Sequence, residues 1–197
     1  MNDFLVWIQL GIEHITDFSG YDHMLFLLSL IISFSFRQWK PLLALLSGFT
    51  IGHSLTLILS VTDVLSISTE WVELLIPATI FITCLYRIQH LQKNTTSSIL
   101  FSLLLTTFFG CIHGLGFSNY LGSLLGNETS LWIPMIAFNL GIELGQLTVV
   151  FILLLFSLFL YRFIRIHPYH WNFYLASAVS GVAFVMMIER ASFLLNG

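Results

Sequence analysis

Histidine and carboxylate side chains interrupt the most apolar segments of this sequence. His14, His23, His53 and His113 lie in or beside apolar runs, and Asp22 directly precedes His23. Neutral imidazole is a good ligand for divalent zinc, nickel, copper or iron, and a carboxylate compensates part of the metal's charge. Ionisable groups in hydrocarbon cost several kcal/mol, so each of them requires a functional reason. These five residues therefore predict a site for a divalent transition metal, with nickel or zinc favoured.

A second polar group lies on one later segment. Asn139, Glu143 and Gln146 follow a spacing of i, i+4 and i+7, which places them on one face of a helix. Polar groups of this kind can orient metal-ligating histidines without touching the metal. A metal leaving the site could also pass the carboxylate of Glu143.

The composition requires a membrane environment. Of the 197 residues, 57% are hydrophobic and only 9% are charged, whereas an average soluble domain has about 25% charged residues. These values exclude a soluble globular protein and a disordered chain. A net charge of −3 without a basic cluster excludes a nucleic-acid-binding protein. The partners left are membrane lipid and a metal ion, and a homo-oligomer stays open.

Apolar runs separated by polar breaks predict an all-α polytopic membrane bundle in a single domain, residues 1–197. Residues 4–12 are too short to cross and predict a re-entrant or interfacial helix. Glycine pairs spaced by four residues, such as Gly48 and Gly52, favour close helix packing. The six predicted crossings cover residues 21–36, 41–62, 70–87, 98–123, 131–161 and 172–190.

The positive residues predict the orientation. Six of the seven lysines and arginines follow crossings one, three and five, and only Arg190 falls on the other side. Because positive loops stay in the cytoplasm, both termini are predicted to be extracytoplasmic in a bacterial cytoplasmic membrane. His53, His113 and the Asp22–His23 pair then lie in the outer half of the bilayer.

Four segments resemble the HupE/UreJ family of small bacterial membrane proteins: GIEHITDFSGYDHMLFLLSL, FTIGHSLTL, FFGCIHGLGF and FNLGIELGQ. The match runs through the whole chain in order. Seven residues separate His14 from Asp22, and no glutamate follows the His113-Gly114 pair closely, so the pattern is closer to the second branch of the family. The resemblance implies a permease for nickel or a related metal, with metal-handling roles for His14, Asp22, His23 and His113.

Two functions therefore stand side by side. The first is a metal-ion permease, in which the histidines collect the metal and Glu143 lies on its way inward. The second is an intramembrane zinc-dependent hydrolase acting on a lipid or lipid-linked substrate. In that enzyme Ser54 would belong to the catalytic group, and Asp22 or Glu143 would be the general base for a zinc-activated water.

Overall fold

The computed structural model describes residues 3–18, 20–32, 34–93, 98–126 and 131–196, and no β-strand occurs among them. A 3₁₀ turn, Phe36–Gln38, precedes α3, and a π-helical turn, Leu160–Ile164, extends α6. The seven α-helices are α1 (Asp3–Thr16), α2 (Asp22–Ile31), α3 (Trp39–Val61), α4 (Thr69–Lys93), α5 (Ile99–Leu125), α6 (Trp132–Phe159) and α7 (Pro168–Asn196).

Five of these helices, α3 to α7, are long and apolar enough to cross a membrane. This confirms the predicted all-α membrane bundle. Each of the five helices overlaps in sequence with one of the last five predicted crossings, from 41–62 to 172–190. The first predicted crossing, residues 21–36, contains only the ten-residue helix α2. The division of the chain into six crossings stays a prediction.

Helices α1 and α2 run in the same direction, one after the other. The backbone of Gly141 in α6 lies against Ile8, and that of Gly145 lies against Ile12 and Ile15, so α1 runs parallel to α6. His23 at the start of α2 lies beside His53, and Leu30 near its end lines a small cavity with Arg87. The 14 residues of α1 and ten of α2 reach about 36 Å together at about 1.5 Å per residue. The tandem therefore has the length of one broken crossing.

Glycines bring α3 and α5 into close backbone contact. A Cβ atom on Gly52 would meet the carbonyl of Thr107, and one on Gly110 or Gly114 would meet the carbonyls of Phe49 or His53. Small residues permit such approaches in membrane helices, where lipid supplies no hydrophobic driving force. Since His53 and His113 belong to these two helices, the contact fixes their spacing.

The pair α4–α7 lies beside this core. Phe81 packs against Phe184, and Arg190 near the end of α7 forms an ion pair with Glu73 near the start of α4, so the two helices are antiparallel. Most of α7 is exposed at the periphery, as expected for a helix that faces lipid. Neither α4 nor α7 contributes a histidine to the cluster described next.

Candidate metal site

Four imidazoles meet where the tandem of α1 and α2 is broken. The ring centroids of His14 and His23 lie 4.4 Å apart, and His53 lies 5.5 Å from His14 and 6.0 Å from His23. His113 joins the group at 5.3 Å from His23. We call these four residues the histidine cage. It combines α1, α2, α3 and α5, and it requires the broken tandem because His14 ends one helix and His23 begins the next.

Three of these residues fit a metal ion by distance alone. One ring nitrogen each of His14, His23 and His53 lies within 4.8 Å of the others. Zinc–nitrogen bonds of about 2.0–2.1 Å would require such atoms to be about 3.4 Å apart in a tetrahedral site. Small side-chain rotations therefore suffice to bring the three nitrogens onto one ion.

Hydrogen bonds fix which nitrogen of two cage residues faces the cage. Nδ1 of His23 lies 3.0 Å from Oδ1 of Asp22, and Nδ1 of His113 lies 2.9 Å from the carbonyl oxygen of Phe109. Both partners only accept hydrogen bonds, so each Nδ1 carries the proton and each neutral Nε2 carries a lone pair. Asp22 thus orients His23 in the way that carboxylates commonly orient zinc-binding histidines.

The remaining polar atoms of the cage are buried without partners. Nε2 of His14, His23 and His113 and both ring nitrogens of His53 have no hydrogen-bond partner in the described part of the chain. His53 is 0% exposed. Buried polar atoms are nearly always satisfied, so this concentration in one spot indicates a missing ligand. An ion bound to one nitrogen of each ring would satisfy four of these five atoms, and only the second ring nitrogen of His53 would stay outside its reach.

Aromatic rings bound the cage. Phe49 lies 6.0 Å from His53 and 5.1 Å from His113, and Phe26 stacks on Phe49 at 4.7 Å. Both phenylalanines are 1% exposed. They form an apolar floor on the side of the cage nearest the start of α3. Phe117 packs on His14 at 3.9 Å from the opposite side.

A cleft reaches His14 at the end of α1, beside the part of α5 that follows His113. Its volume is about 710 Å³, and Glu13, Asp17, Phe117 and Tyr120 line it together with His14. Gln9 donates a hydrogen bond to Glu13. Two carboxylates at such an entrance raise the local concentration of cations. The cage is therefore open towards this cleft and floored by phenylalanine on the side nearest the start of α3.

A comparison with known protein families identifies the family. The model of the family described as HupE / UreJ protein matches residues 1–193. The chain belongs to the HupE/UreJ family. Among curated proteins and solved structures, none matches it significantly.

The second predicted group of this HupE/UreJ protein pairs with α3. Ser47 donates a hydrogen bond to Glu143, Thr50 donates one to Oε1 of Gln146 at 3.2 Å, and the hydroxyl of Ser54 lies 2.6 Å from Oδ1 of Asn139. We call these three pairs the α3–α6 ladder. The roles predicted for Asn139, Glu143 and Gln146 as supports of the ligands, and for Ser54 and Asp22 in hydrolysis, stay predictions.

Sequence reasoning missed the floor of the site. Phe49 precedes His53 by four residues and therefore lies on the same face of α3. That spacing was available, but a phenylalanine in an apolar run gives no chemical signal. Ser47 was missed as a partner of Glu143 because serine is common in membrane helices, where it often bonds to its own helix.

Proposed function

We propose that this HupE/UreJ protein is a permease for a divalent transition metal, with nickel or cobalt the first ions to test. His14, His23, His53 and His113 would bind the ion, and Asp22 would hold His23 in the ligating orientation. The family is associated with nickel and cobalt transport. The single observation that carries the proposal is the set of inward-facing imidazole nitrogens without partners, gathered from four helices.

The ligand chemistry supports a borderline metal. Imidazole suits nickel, cobalt, zinc and copper, whereas magnesium and calcium prefer oxygen. Neutral imidazoles leave the charge of a bound divalent ion largely uncompensated, and in low dielectric such a charge is held less tightly than in a site rich in carboxylates or thiolates. That balance suits a transported ion, which must be released again.

Access supports transport from the cleft side. The cleft gives an ion an open approach to His14, and the carboxylates of Glu13 and Asp17 line it. The Phe26–Phe49 floor separates the cage from the other end of the bundle. A cage open to one side at a time is what alternating access requires. By the distribution of positive residues, the open side would be extracytoplasmic.

The test is metal uptake into vesicles. The purified protein is reconstituted into liposomes that contain a metal-sensitive fluorophore, and Ni²⁺, Co²⁺ and Zn²⁺ are added outside. We expect uptake of at least one ion by the wild-type protein and its loss in His53→Ala. Because neither ring nitrogen of His53 has a described partner, this change removes no hydrogen bond from the fold. His14→Ala, at the edge of the cleft, is the second variant if His53→Ala fails to fold.

The matched control is His170→Ala, which removes an exposed imidazole near the start of α7. Uptake by this variant should equal that of the wild-type protein. Equal uptake by wild type, His53→Ala and His14→Ala would refute the proposed site.

The hydrolase alternative is tested in the same vesicles. Lipids are extracted after incubation with Zn²⁺ and analysed by mass spectrometry. A product that accumulates with the wild-type protein and disappears with Ser54→Ala would replace transport by hydrolysis. In the structure the hydroxyl of Ser54 is engaged with Asn139 and the carbonyl of Thr50, which gives it no general base as a partner.

A further inference from the structure

From the histidine cage, two sides of the bundle lead away from the cleft and are candidate routes for an ion. One side runs between α2, α4 and α5, and the other runs along the interface of α3 and α6. The two sides differ in charge, since one holds Arg87 and the other holds Glu143. Which of them suits a divalent cation can be decided from the residues that line each one.

The α2–α4–α5 side carries hydroxyl groups of Thr83, Ser102 and Thr106, but it is also the side with a buried positive charge. Below the Phe26–Phe49 floor lies a cavity of about 10 Å³, room for roughly one water molecule, which Arg87 and Phe109 help to line. Arg87 is 5% exposed, and its guanidinium lies 5.1 Å from the ring of Phe34. No carboxylate in the described ranges forms an ion pair with it. A buried guanidinium repels a divalent cation, so this side excludes the ion.

The α3–α6 side offers oxygen atoms in sequence. Thr50 lies one turn from His53 in the direction of the start of α3, and Ser47 lies one turn further on. Across the interface these hydroxyls meet Gln146 and Glu143. Glu143 is half-buried in the middle of an otherwise apolar helix, and a carboxylate there is costly unless it serves a function.

Gln146 gives an independent sign of a ligand at this place. It is 0% exposed, its Oε1 accepts the hydrogen bond from Thr50, and its Nε2 has no described partner. A rotation of the amide by 180° exchanges the two atoms. The amide nitrogen would then face the hydroxyl of Thr50, and the amide oxygen would be free to bind a cation.

We propose that Glu143, Ser47 and Gln146 form a second cation station, built of oxygen ligands, which receives the divalent ion from the histidine cage. The idea rests on the proposed permease function and adds the route of exit. Oxygen ligands hold late transition metals less tightly than imidazoles do. Transfer from the cage to this station therefore takes the ion from a selective site to a releasing one. The alternative is a purely structural role, in which these three residues only hold α3 against α6.

The first experiment measures binding without transport. The cage of the purified protein is filled with Zn²⁺, and Mn²⁺, which prefers oxygen ligands, is titrated while free Mn²⁺ is followed by electron paramagnetic resonance. We expect one Mn²⁺ per chain with the wild-type protein and none with Glu143→Gln. Glutamine retains an oxygen that accepts the hydrogen bond from Ser47, so the helix contact is preserved.

Glu73→Gln is the matched control because it neutralises an exposed carboxylate outside the ladder, and it should bind Mn²⁺ like the wild type. Gln146→Met is the second variant if Glu143→Gln does not fold, and it should weaken Mn²⁺ binding at least tenfold. Unchanged Mn²⁺ binding by both ladder variants would overturn the station.

The second experiment places the station on the route. Co²⁺ uptake into vesicles should fall at least tenfold in Glu143→Gln, while the visible spectrum of Co²⁺ in the cage stays that of the wild type. Loss of the Mn²⁺ site with unchanged uptake would overturn the station as an exit. A wild-type protein that binds Mn²⁺ through Glu143 but transports no ion would refute the permease and leave the second cation site standing.

Discussion

Two kinds of helix pairing coexist in this bundle. The pairs α3–α5 and α1–α6 meet backbone to backbone at glycines, and between them they hold His14, His53 and His113. The pair α4–α7 meets through larger side chains such as Phe81 and Phe184, and Gly181 in α7 has no atom near the place of a Cβ. Close contact is thus concentrated in the two pairs that carry histidines of the cage.

This difference between the two kinds of helix contact shows how a membrane bundle can hold a site in place although no hydrophobic effect drives its helices together. Side chains between two helices act as adjustable spacers, whereas a backbone-to-backbone contact at glycine leaves one separation only. For the proposed metal site, ring nitrogens must stay within a few ångströms of one ion, so the pairs that carry the cage histidines need the rigid contact. The outer pair only has to fill space towards lipid, and it tolerates the adjustable kind.

The largest effect is expected from Gly114→Ala, which changes the backbone contact between α3 and α5. The added methyl would meet the carbonyl oxygen of His53 and the hydroxyl of Thr56, closer than real Cβ atoms come. We expect a loss of about 1–3 kcal/mol of stability, the usual cost of overpacking, together with reduced metal binding. Thermal unfolding in detergent measures the first effect and a Co²⁺ titration the second.

Gly181→Ala is the counterpart in the outer pair. With nothing within 4 Å of the new methyl, it should leave metal binding unchanged and the unfolding temperature equal or slightly higher, since alanine favours a helix over glycine. Equal destabilisation by Gly114→Ala and Gly181→Ala would remove the contrast between the two kinds of pair.

An effect confined to metal binding is expected from Asp22→Asn, which keeps the shape of the side chain and removes its charge. His23 then loses the carboxylate that orients it and raises its basicity, so metal affinity should fall about 10–100-fold. Competition with a chelator of known affinity measures the change. Asp63→Asn is the control, because Asp63 is exposed and its φ of 57° suits asparagine. An unchanged affinity in Asp22→Asn would show that the contact with His23 does not support binding.

The smallest effect belongs to the outer pair's ion pair. The side chains of Arg190 and Glu73 are 43% and 44% exposed, and exposed pairs contribute at most about 1 kcal/mol. Glu73→Gln should lower the unfolding free energy by less than that, with a difference that disappears at high salt. A loss of stability as large as that of Gly114→Ala would mean that the α4–α7 contact is as sensitive to substitution as the glycine contacts of α3–α5 and α1–α6.

Much of this arrangement follows from the sequence by two physical rules. Apolar runs of membrane length predicted the long helices, and the cost of ionisable groups in hydrocarbon singled out His14, His23, His53 and His113, which the structure brings together. The glycine pair at residues 110 and 114, noted for its spacing, lies in the α3–α5 contact.

Other features had no local signal. A helix as short as α1 can lie on a membrane, re-enter it or lead into a second piece, and nothing in its sequence shows that it packs along α6. The direction of the Asp22 carboxylate is equally invisible, because a ligand and a support of a ligand have the same residue type. Pairing of Ser47 with Glu143 joins residues 96 positions apart, which no pattern within one helix reveals.

The distance along the chain between α1 and α6 also has a consequence for biosynthesis. His14 is made well before the two glycines against which its helix packs, since Gly141 and Gly145 emerge from the ribosome more than 120 residues later. At 14 residues α1 is too short to cross a bilayer alone. During synthesis α1, which carries His14, therefore lacks the helix against which it packs. The protein gains a complete cage only when most of the chain has been inserted.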